Sequence, residues 1–295
     1  MAARRIGDMS LARVEEMIVP LVEAQSMFSG FTDEHEARHR DWLAPKYFDP
    51  QSRRLLMSIH TWVLRTRHHT ILVDTCFGNH RNRPGFRDGH QLDKPWLENL
   101  AVAGVKREEV DFVLCTHLHI DHVGWNTIEE NGRYVPTFPN ARYLFSRRDF
   151  DFYDAENRAN PKRPAQHGAF NDAVLPVVEA GRADLIDGEH AIDDNLVIRP
   201  APGHTPGSIT MEATSNGERG LFTGDILHHP LQVYHPDWNS RFCVDPEMAA
   251  RSRRNVLEHC AEHRALMMPA HFAHPHCGYV HRAGDAFRFE FAGSN

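Results

Sequence analysis

His117-Leu118-His119-Ile120-Asp121-His122 places three imidazoles and one carboxylate within six positions. Neutral imidazole nitrogen and carboxylate oxygen are good ligands for a divalent transition metal, zinc first among them. With 22 histidines in 295 residues, such a string arises by chance in roughly one chain in a hundred. The segment follows the apolar run Val110-Asp111-Phe112-Val113-Leu114-Cys115, which reads as a buried strand ending where the histidines begin. A strand end holds the first ligands rigidly, and the turn after it aims the later ones elsewhere. The segment is therefore able to feed two metal ions rather than one.

Three isolated residues have the same character. His204 lies in Ala201-Pro202-Gly203-His204-Thr205-Pro206-Gly207, a loop whose glycines and prolines fix one side chain. Asp225 follows Leu221-Phe222-Thr223-Gly224, and His271 follows Leu266-Met267-Met268-Pro269-Ala270. Each comes directly after an apolar strand, where a rigid element can hold a functional group. Taken singly, each is an ordinary loop residue. Only beside the six-residue motif does the metal reading prevail.

The elements that must position these residues follow from pattern and punctuation. The first 50 residues read as helical or irregular, with the charged run Asp33 to Arg40 as a solvated helix face. Strands are predicted over Leu55–Arg65 and Thr70–Asp74, joined by a polar turn. A helix from about Pro95 to Ala103, closed by Gly104, leads into the strand at Val110. Further strands are expected over Asn140–Phe145, Ala183–Ile186, Leu196–Arg199, Ser208–Ala213, Gly220–Thr223 and Ala265–Met268, with a hairpin around Gly284-Asp285. Helices are expected over Arg147–Asp154, Asp172–Ala180 and Pro246–Glu262, the last with Asp245 as N-cap and Pro246 at its first position. Residues 155–170 are polar, carry two prolines and read as a surface insertion or lid.

Composition narrows the classes. Hydrophobic content of 41% and charged content of 25% are ordinary for a globular chain. A net charge of −7 gives no basic footprint for nucleic acid. No apolar run approaches a membrane span, and the N-terminal residues lack a signal-like apolar core. Five cysteines, odd in number and not in CxxC pairs, read as reduced thiols in a cytoplasmic protein. Cys115 and Cys277 are expected to be buried. His35, His39, His68, His69, His80, His90, His167, His190, His259 and His263 are expected to be solvated.

HxHxDH followed by isolated His, Asp and His resembles the ligand pattern of the metallo-β-lactamase superfamily, over roughly residues 55–281. The resemblance implies an α/β fold, the αββα four-layer sandwich of two mixed, mostly antiparallel β-sheets flanked by helices. Carried over by motif, His117, His119 and His204 hold the first metal, Asp121, His122 and His271 the second, and Asp225 bridges them. Asp74, in Ile71-Leu72-Val73-Asp74-Thr75, matches a superfamily Asp outside the metal shell that orients a ligand histidine or the turn. Two Zn2+ are the expected cofactors, although His/Asp sites also accept manganese, iron or cobalt. A metal-bridging hydroxide, its parent water lowered to a pKa of roughly 7, is then the nucleophile of a hydrolase. Asp121 would shuttle a proton toward the leaving group. His274 and His276 are assigned loop roles.

The branch is less sharply marked. β-Lactamases of the superfamily carry a cysteine where this chain has Asp225. Glyoxalase II-type thioesterases use basic C-terminal residues, and the tail from Arg282 to Asn295 has only Arg282 and Arg288. Quorum-quenching lactonases carry a tyrosine three residues after the bridging Asp, where this chain has His228. The segment Asp225-Ile226-Leu227-His228, then Gln232-Val233 and the Asp245-Pro246 helix start, looks more like the methyl parathion hydrolase-type group. That group has an aromatic pocket, for which Trp125, Phe150, Phe152, Trp238 and Phe242 are candidates; plain core roles suit them equally. His228 is either a pocket residue, with Asp121 and Asp225 in the catalytic set, or a packing residue behind it.

The expected activity is hydrolysis of a small ester or lactone. Phosphotriester and acyl-homoserine lactone hydrolysis are the alternatives, and a metal-binding sensor that retains the fold is the non-enzymatic one. Residues 1–50 are read as an N-terminal extension serving dimerisation or pocket cover, and 51–295 as the catalytic domain. The expected partners are a small-molecule substrate and a second copy in a homodimer, with no nucleic acid and no membrane.

Overall fold

Most segments with β-branched or alternating apolar residues pair into two large sheets in the computed structural model, which describes residues 4–293. In chain order the first strands are β1 (Arg4–Ile6), β2 (Met9–Glu23), β3 (Phe48–Asp49), β4 (Arg54–Arg65) and β5 (Thr70–Val73). There follow β6 (Phe112–Leu114), β7 (Thr127–Glu130), β8 (Arg133–Pro136), β9 (Arg142–Ser146) and β10 (Ala183–Ile186). The first sheet runs β1-β2-β4-β5-β6-β9-β10 with β3 beside β4, and β7-β8 form a separate hairpin. The second sheet runs in chain order through β11 (His190–Asp193), β12 (Leu196–Pro200), β13 (Ile209–Ser215), β14 (Glu218–Gly224), β15 (Leu266–Pro269), β16 (Gly278–Ala283) and β17 (Ala286–Phe291). This mixed α/β architecture is the fold class expected from the sequence.

The chain divides into two compact units. One takes the described residues up to Glu16 together with Ile59–His190. The other takes Met17–Ser58 together with the described residues from Ala191 onward. Residues 1–50 are thus shared between both units, and residues 1–3 and 294–295 of the expected domains lie outside the described residues.

In the first unit, β5, β6, β9 and β10 pair in parallel. These parallel pairs lie within sheets that are mixed and mostly antiparallel, as expected. Parallel neighbours need crossovers, and helices such as Trp96–Val102 and Arg147–Ala159 supply them. Their benefit is positional, because consecutive parallel strands present their C-terminal ends side by side, where ligand-binding loops collect. Val73 at the end of β5 registers with Leu114 at the end of β6. Asp74 and the residues just before His117 therefore become neighbours.

The second unit repeats the device once. β12-β13, β13-β14, β15-β16 and β16-β17 pair antiparallel, while β14 and β15 run parallel with Gly224 opposite Pro269. Asp225 and His271 thus emerge from adjacent strand ends. The crossover is the helix Pro246–His263, started as expected by Asp245, whose side chain accepts from Met248 N–H at 2.9 Å. Val256, Leu257 and Cys260 on this helix bury with Leu221, Met267 and Phe287. A second cluster gathers Phe28, Phe31, Tyr47 and Phe48 with Leu231 and Ala273.

The first 50 residues correct the helical or irregular reading. They contain β1 and the 15-residue β2, with short helices over Ala24–Met27, Asp33–Arg38 and Arg40–Leu43. Glu15-Glu16 and Pro20 interrupt the apolar pattern of β2 and hid it. Residues 155–170 are also more anchored than a lid: the preceding helix runs on to Ala159, and Ala165, Ala169 and Phe170 are buried. Among the described residues no helix is long and apolar enough to cross a membrane. All five cysteines are free thiols, with Cys115 and Cys277 buried as expected.

Candidate metal centre

In the first unit the six-residue motif occupies the loop after β6 and the single helical turn Ile120–Val123. His117 and His122 are buried, while His119 and Asp121 are half-buried. The His117 ring centroid lies 4.0 Å from that of His122 and 4.5 Å from that of His119. His122 Nε2 is 3.7 Å from Asp121 Oδ1. All four members of the motif thus face one small volume.

The turn is held from behind by backbone contacts. Leu118 N–H donates to Asp149 Oδ2 at 3.1 Å and Thr75 N–H donates to His122 O at 2.7 Å. Asp74, in the left-handed region at φ 59°, accepts from Thr116 N–H at 2.7 Å and from the Thr116 hydroxyl at 2.8 Å. Its Oδ2 also lies 2.9 Å from His122 Nδ1. A carboxylate at that nitrogen directs the opposite one, Nε2, toward the motif. Gly124 closes the turn, and a Cβ there would stand 1.9 Å from the Phe77 carbonyl.

In the second unit three imidazoles surround one buried carboxylate. His271 Nε2 is 3.0 Å from Asp225 Oδ1, while His204 Nε2 and His228 Nε2 are 3.4 and 3.2 Å from Asp225 Oδ2. Each ring is held by its surroundings. His271 Nδ1 is 3.0 Å from Ser58 O. The His204 loop is tied by Val244 N–H to His204 O and Asp245 N–H to Gly203 O. His228 donates its backbone N–H to Gln232 Oε1 at 2.7 Å, and its Nε2 is 3.5 Å from Ser240 Oγ. Burial pulls the His228 pKa down against the pull of Asp225, which favours the neutral ring.

The aromatic candidates sit in varied surroundings. Trp125 is buried, stacks on Trp96 at 5.1 Å, and donates its indole N–H to Glu16. It also lines a groove of about 680 Å³ with Lys94, His80 and Tyr134. Phe150 packs on Phe170, and Phe152 on Tyr153. Trp238 stacks on His235 and meets Phe28. Phe242 is 41% exposed, its ring 6.4 Å from that of His228.

His274 and His276 occupy the loop after His271. His276 is buried with Nδ1 2.7 Å from Phe272 O, and His274 O accepts from the Tyr47 hydroxyl. His39 corrects the solvated reading, being 6% exposed. Two positioning groups were missed. Buried Arg253 donates to Ile226 O, Pro236 O and Asn239 Oδ1, and buried Glu16 braces residues 77, 78 and 125. Neither stands in a motif, and a charged residue in a helix or strand pattern ordinarily faces solvent.

The Metallo-beta-lactamase superfamily matches residues 55–280, more than half of the chain. The chain belongs to that superfamily. Within it, this member is 32% identical over 181 residues to the uncharacterized protein YobT of Bacillus subtilis (strain 168), covering 58% of this chain and 63% of YobT. It is 26% identical over 179 residues to an N-acyl homoserine lactonase of a Bacillus species, covering 55% of this chain and 62% of that protein. The matches thus span somewhat under two thirds of these relatives. Among solved structures, AidC, a dizinc quorum-quenching lactonase, superposes with a TM-score of 0.78 at 20% identity, over 99% of this chain and 97% of AidC. The hydrolase AbOPH superposes with a TM-score of 0.79 at 23% identity, with the same coverages. At such identities the superpositions establish the metallo-beta-lactamase fold.

Proposed function

We propose that this superfamily member is a dinuclear metal-dependent hydrolase acting on a small ester or lactone. In this reading His117, His119 and His204 hold one ion, Asp121, His122 and His271 hold the other, and Asp225 bridges them. The observation that carries it is the division of labour at Asp225. One carboxylate oxygen faces His271 and the other faces His204, the two histidines assigned to different ions. A bridging carboxylate needs that arrangement.

The donors suit the group. They are imidazole and carboxylate throughout, matched to zinc and also to manganese, iron or cobalt. Bound there, two divalent cations would supply an activated water and an electrophile for the carbonyl oxygen. The chain's own residues do the rest. Asp74 and Ser58 O set the ring orientations of His122 and His271. His228 lies against Asp225 Oδ2, which supports a role in holding that oxygen more than direct contact with substrate. Asp121, half-buried beside His122, would accept and return a proton in this reading.

The test is a parallel assay of aryl esters, γ- and δ-lactones, acyl-homoserine lactones and phosphotriesters on the zinc-loaded protein. Turnover of an ester or lactone, lost in Asp225→Ala, is the expected result. Preference for phosphotriesters would transfer the reading to that chemistry. Metal binding without turnover of any of these classes would favour a sensor.

A further inference from the structure

The backbone on either side of His119 is held by two side chains from later in the first unit. Leu118 N–H donates to Asp149 Oδ2 at 3.1 Å, and Ile120 N–H donates to Gln166 Oε1 at 3.3 Å. Asp149 is fully buried in the first turn of the helix Arg147–Ala159, and Gln166 is half-buried. His119 is the N-cap of the turn Ile120–Val123, yet its side chain makes no capping bond. An imidazole committed to a metal leaves that duty to another acceptor, and Gln166 takes it for the Ile120 N–H.

Gln166 reaches Ile120 from a strained bend. Its dihedrals are φ 51° and ψ 46°, those of His167 are φ 54° and ψ 23°, and Gly168 follows at φ 98°. Left-handed backbone brings Cβ against the following carbonyl oxygen. Two successive residues of this kind, neither of them Gly, Asn or Asp, are therefore disfavoured. Such a bend persists only where its surroundings over-determine it. Here Ala165 N–H donates to Asn157 Oδ1 at 3.0 Å, and Ala169 N–H donates to Gln166 O. Ala165, Ala169 and Phe170 are buried, the Phe170 ring lies 5.4 Å from Phe150, and the His167 ring lies 5.4 Å from Phe86. The anchored bend turns the Gln166 side chain toward the histidine motif.

We propose that Gln166 is a positioning residue of the metal motif, acting with Asp149 to set the peptide planes on both sides of His119. Those planes fix the Cα–Cβ directions of His119 and Asp121, and so where their donor atoms stand. The inference rests on the metal-dependent reading of the motif. A donor displaced by about 1 Å can lower turnover about a hundredfold. Because the bend stores strain, position 166 is also where stability and function separate. Removing an ordinary packing residue lowers both together.

The experiment compares wild type, Gln166→Gly and Gln166→Glu in the full chain. Glycine accepts the left-handed dihedrals freely but has no side chain to reach Ile120, whereas glutamate keeps an oxygen acceptor at the same length. The readouts are Tm, exchange of the Ile120 amide in metal-free protein labelled with 15N-isoleucine, and the visible spectrum of the Co2+-loaded protein. To these are added kcat and KM for the ester or lactone that the parallel assay selects. For Gln166→Gly the Tm should stay within about 3 °C of wild type. The Ile120 amide should exchange about tenfold faster. The Co2+ spectrum should shift, and kcat should fall about tenfold or more with KM nearly unchanged. Gln166→Glu should restore Ile120 protection and the spectrum.

Unchanged Ile120 exchange or an unchanged Co2+ spectrum in Gln166→Gly would overturn the role. So would a Tm far below wild type, which marks a packing residue, or failure of Gln166→Glu to restore protection. A wild type that turns over no ester or lactone would sink the hydrolytic reading alone, since exchange and spectrum still decide the role of Gln166.

Discussion

Glu16 Oε1 accepts the indole N–H of Trp125 at 2.7 Å, and the same carboxylate accepts the backbone N–H groups of Phe77 at 3.0 Å and Gly78 at 3.1 Å. A residue from the second strand thereby braces the loop after β5 and Trp125, three residues beyond the histidine motif. Burial pushes the Glu16 pKa up from 4.5 to about 7, against the three donors that favour its charge. Between those values the folded chain binds more protons than the unfolded one, so stability falls as pH rises from 4.5 to about 7. The full swing is on the order of 3 kcal/mol. Urea unfolding across that range should show the decline in wild type and a flatter profile in Glu16→Gln. An identical slope in the variant would remove Glu16 as its source.

Asp74 ties Thr116 to His122, one on each side of the first two motif histidines. Asp74→Ala should weaken metal binding by about 10- to 100-fold, the usual loss when a group supporting a ligand histidine is removed. Competition with a chromophoric chelator measures this. Unaltered affinity would mean that packing alone orients His122.

Gly203 sits at φ 131°, and a Cβ there would lie 2.1 Å from Ala249 N on the helix Pro246–His263. Gly203→Ala must displace either the His204 loop or the helix start. A loss of about 3 kcal/mol or more is expected, among the larger effects of single substitutions. Thermal unfolding reads it directly, and a Tm within a degree or so of wild type would contradict the tight approach.

Arg253 holds Ile226 O at 2.9 Å and Pro236 O at 2.5 Å, and so governs the path of the chain between Asp225 and His228. Arg253→Met keeps much of the volume but leaves these carbonyls without their donor. Stability should fall by about 1–3 kcal/mol for each carbonyl that water does not reach. If Asp225 acts as proposed, kcat should fall more than KM rises; an unchanged kcat in folded protein would argue that the loop holds itself.

The six-residue motif was legible because three histidines and an aspartate in one short turn have few structural uses. His204, Asp225 and His271 were legible because each follows a short apolar strand. The helix at Pro246 announced itself through its cap. What escaped depends on partners distant in sequence. β2 carries Glu15, Glu16 and Pro20, and nothing local reveals that Glu16 is buried against Trp125. His39 looked solvated within a charged run, and only the fold brings His235 to it. The aromatic candidates show the same limit, since Trp125 and Trp238 have specific polar or stacked partners that composition cannot foretell.

The central claim, that hydrolysis depends on metal held by these seven residues, is tested most directly by stripping the protein with a chelator and titrating zinc back while following ester or lactone turnover. Turnover should drop to background in the stripped protein and return as the hydrolytic site fills, with no recovery in Asp225→Ala. Full turnover by protein shown to be metal-free would contradict it.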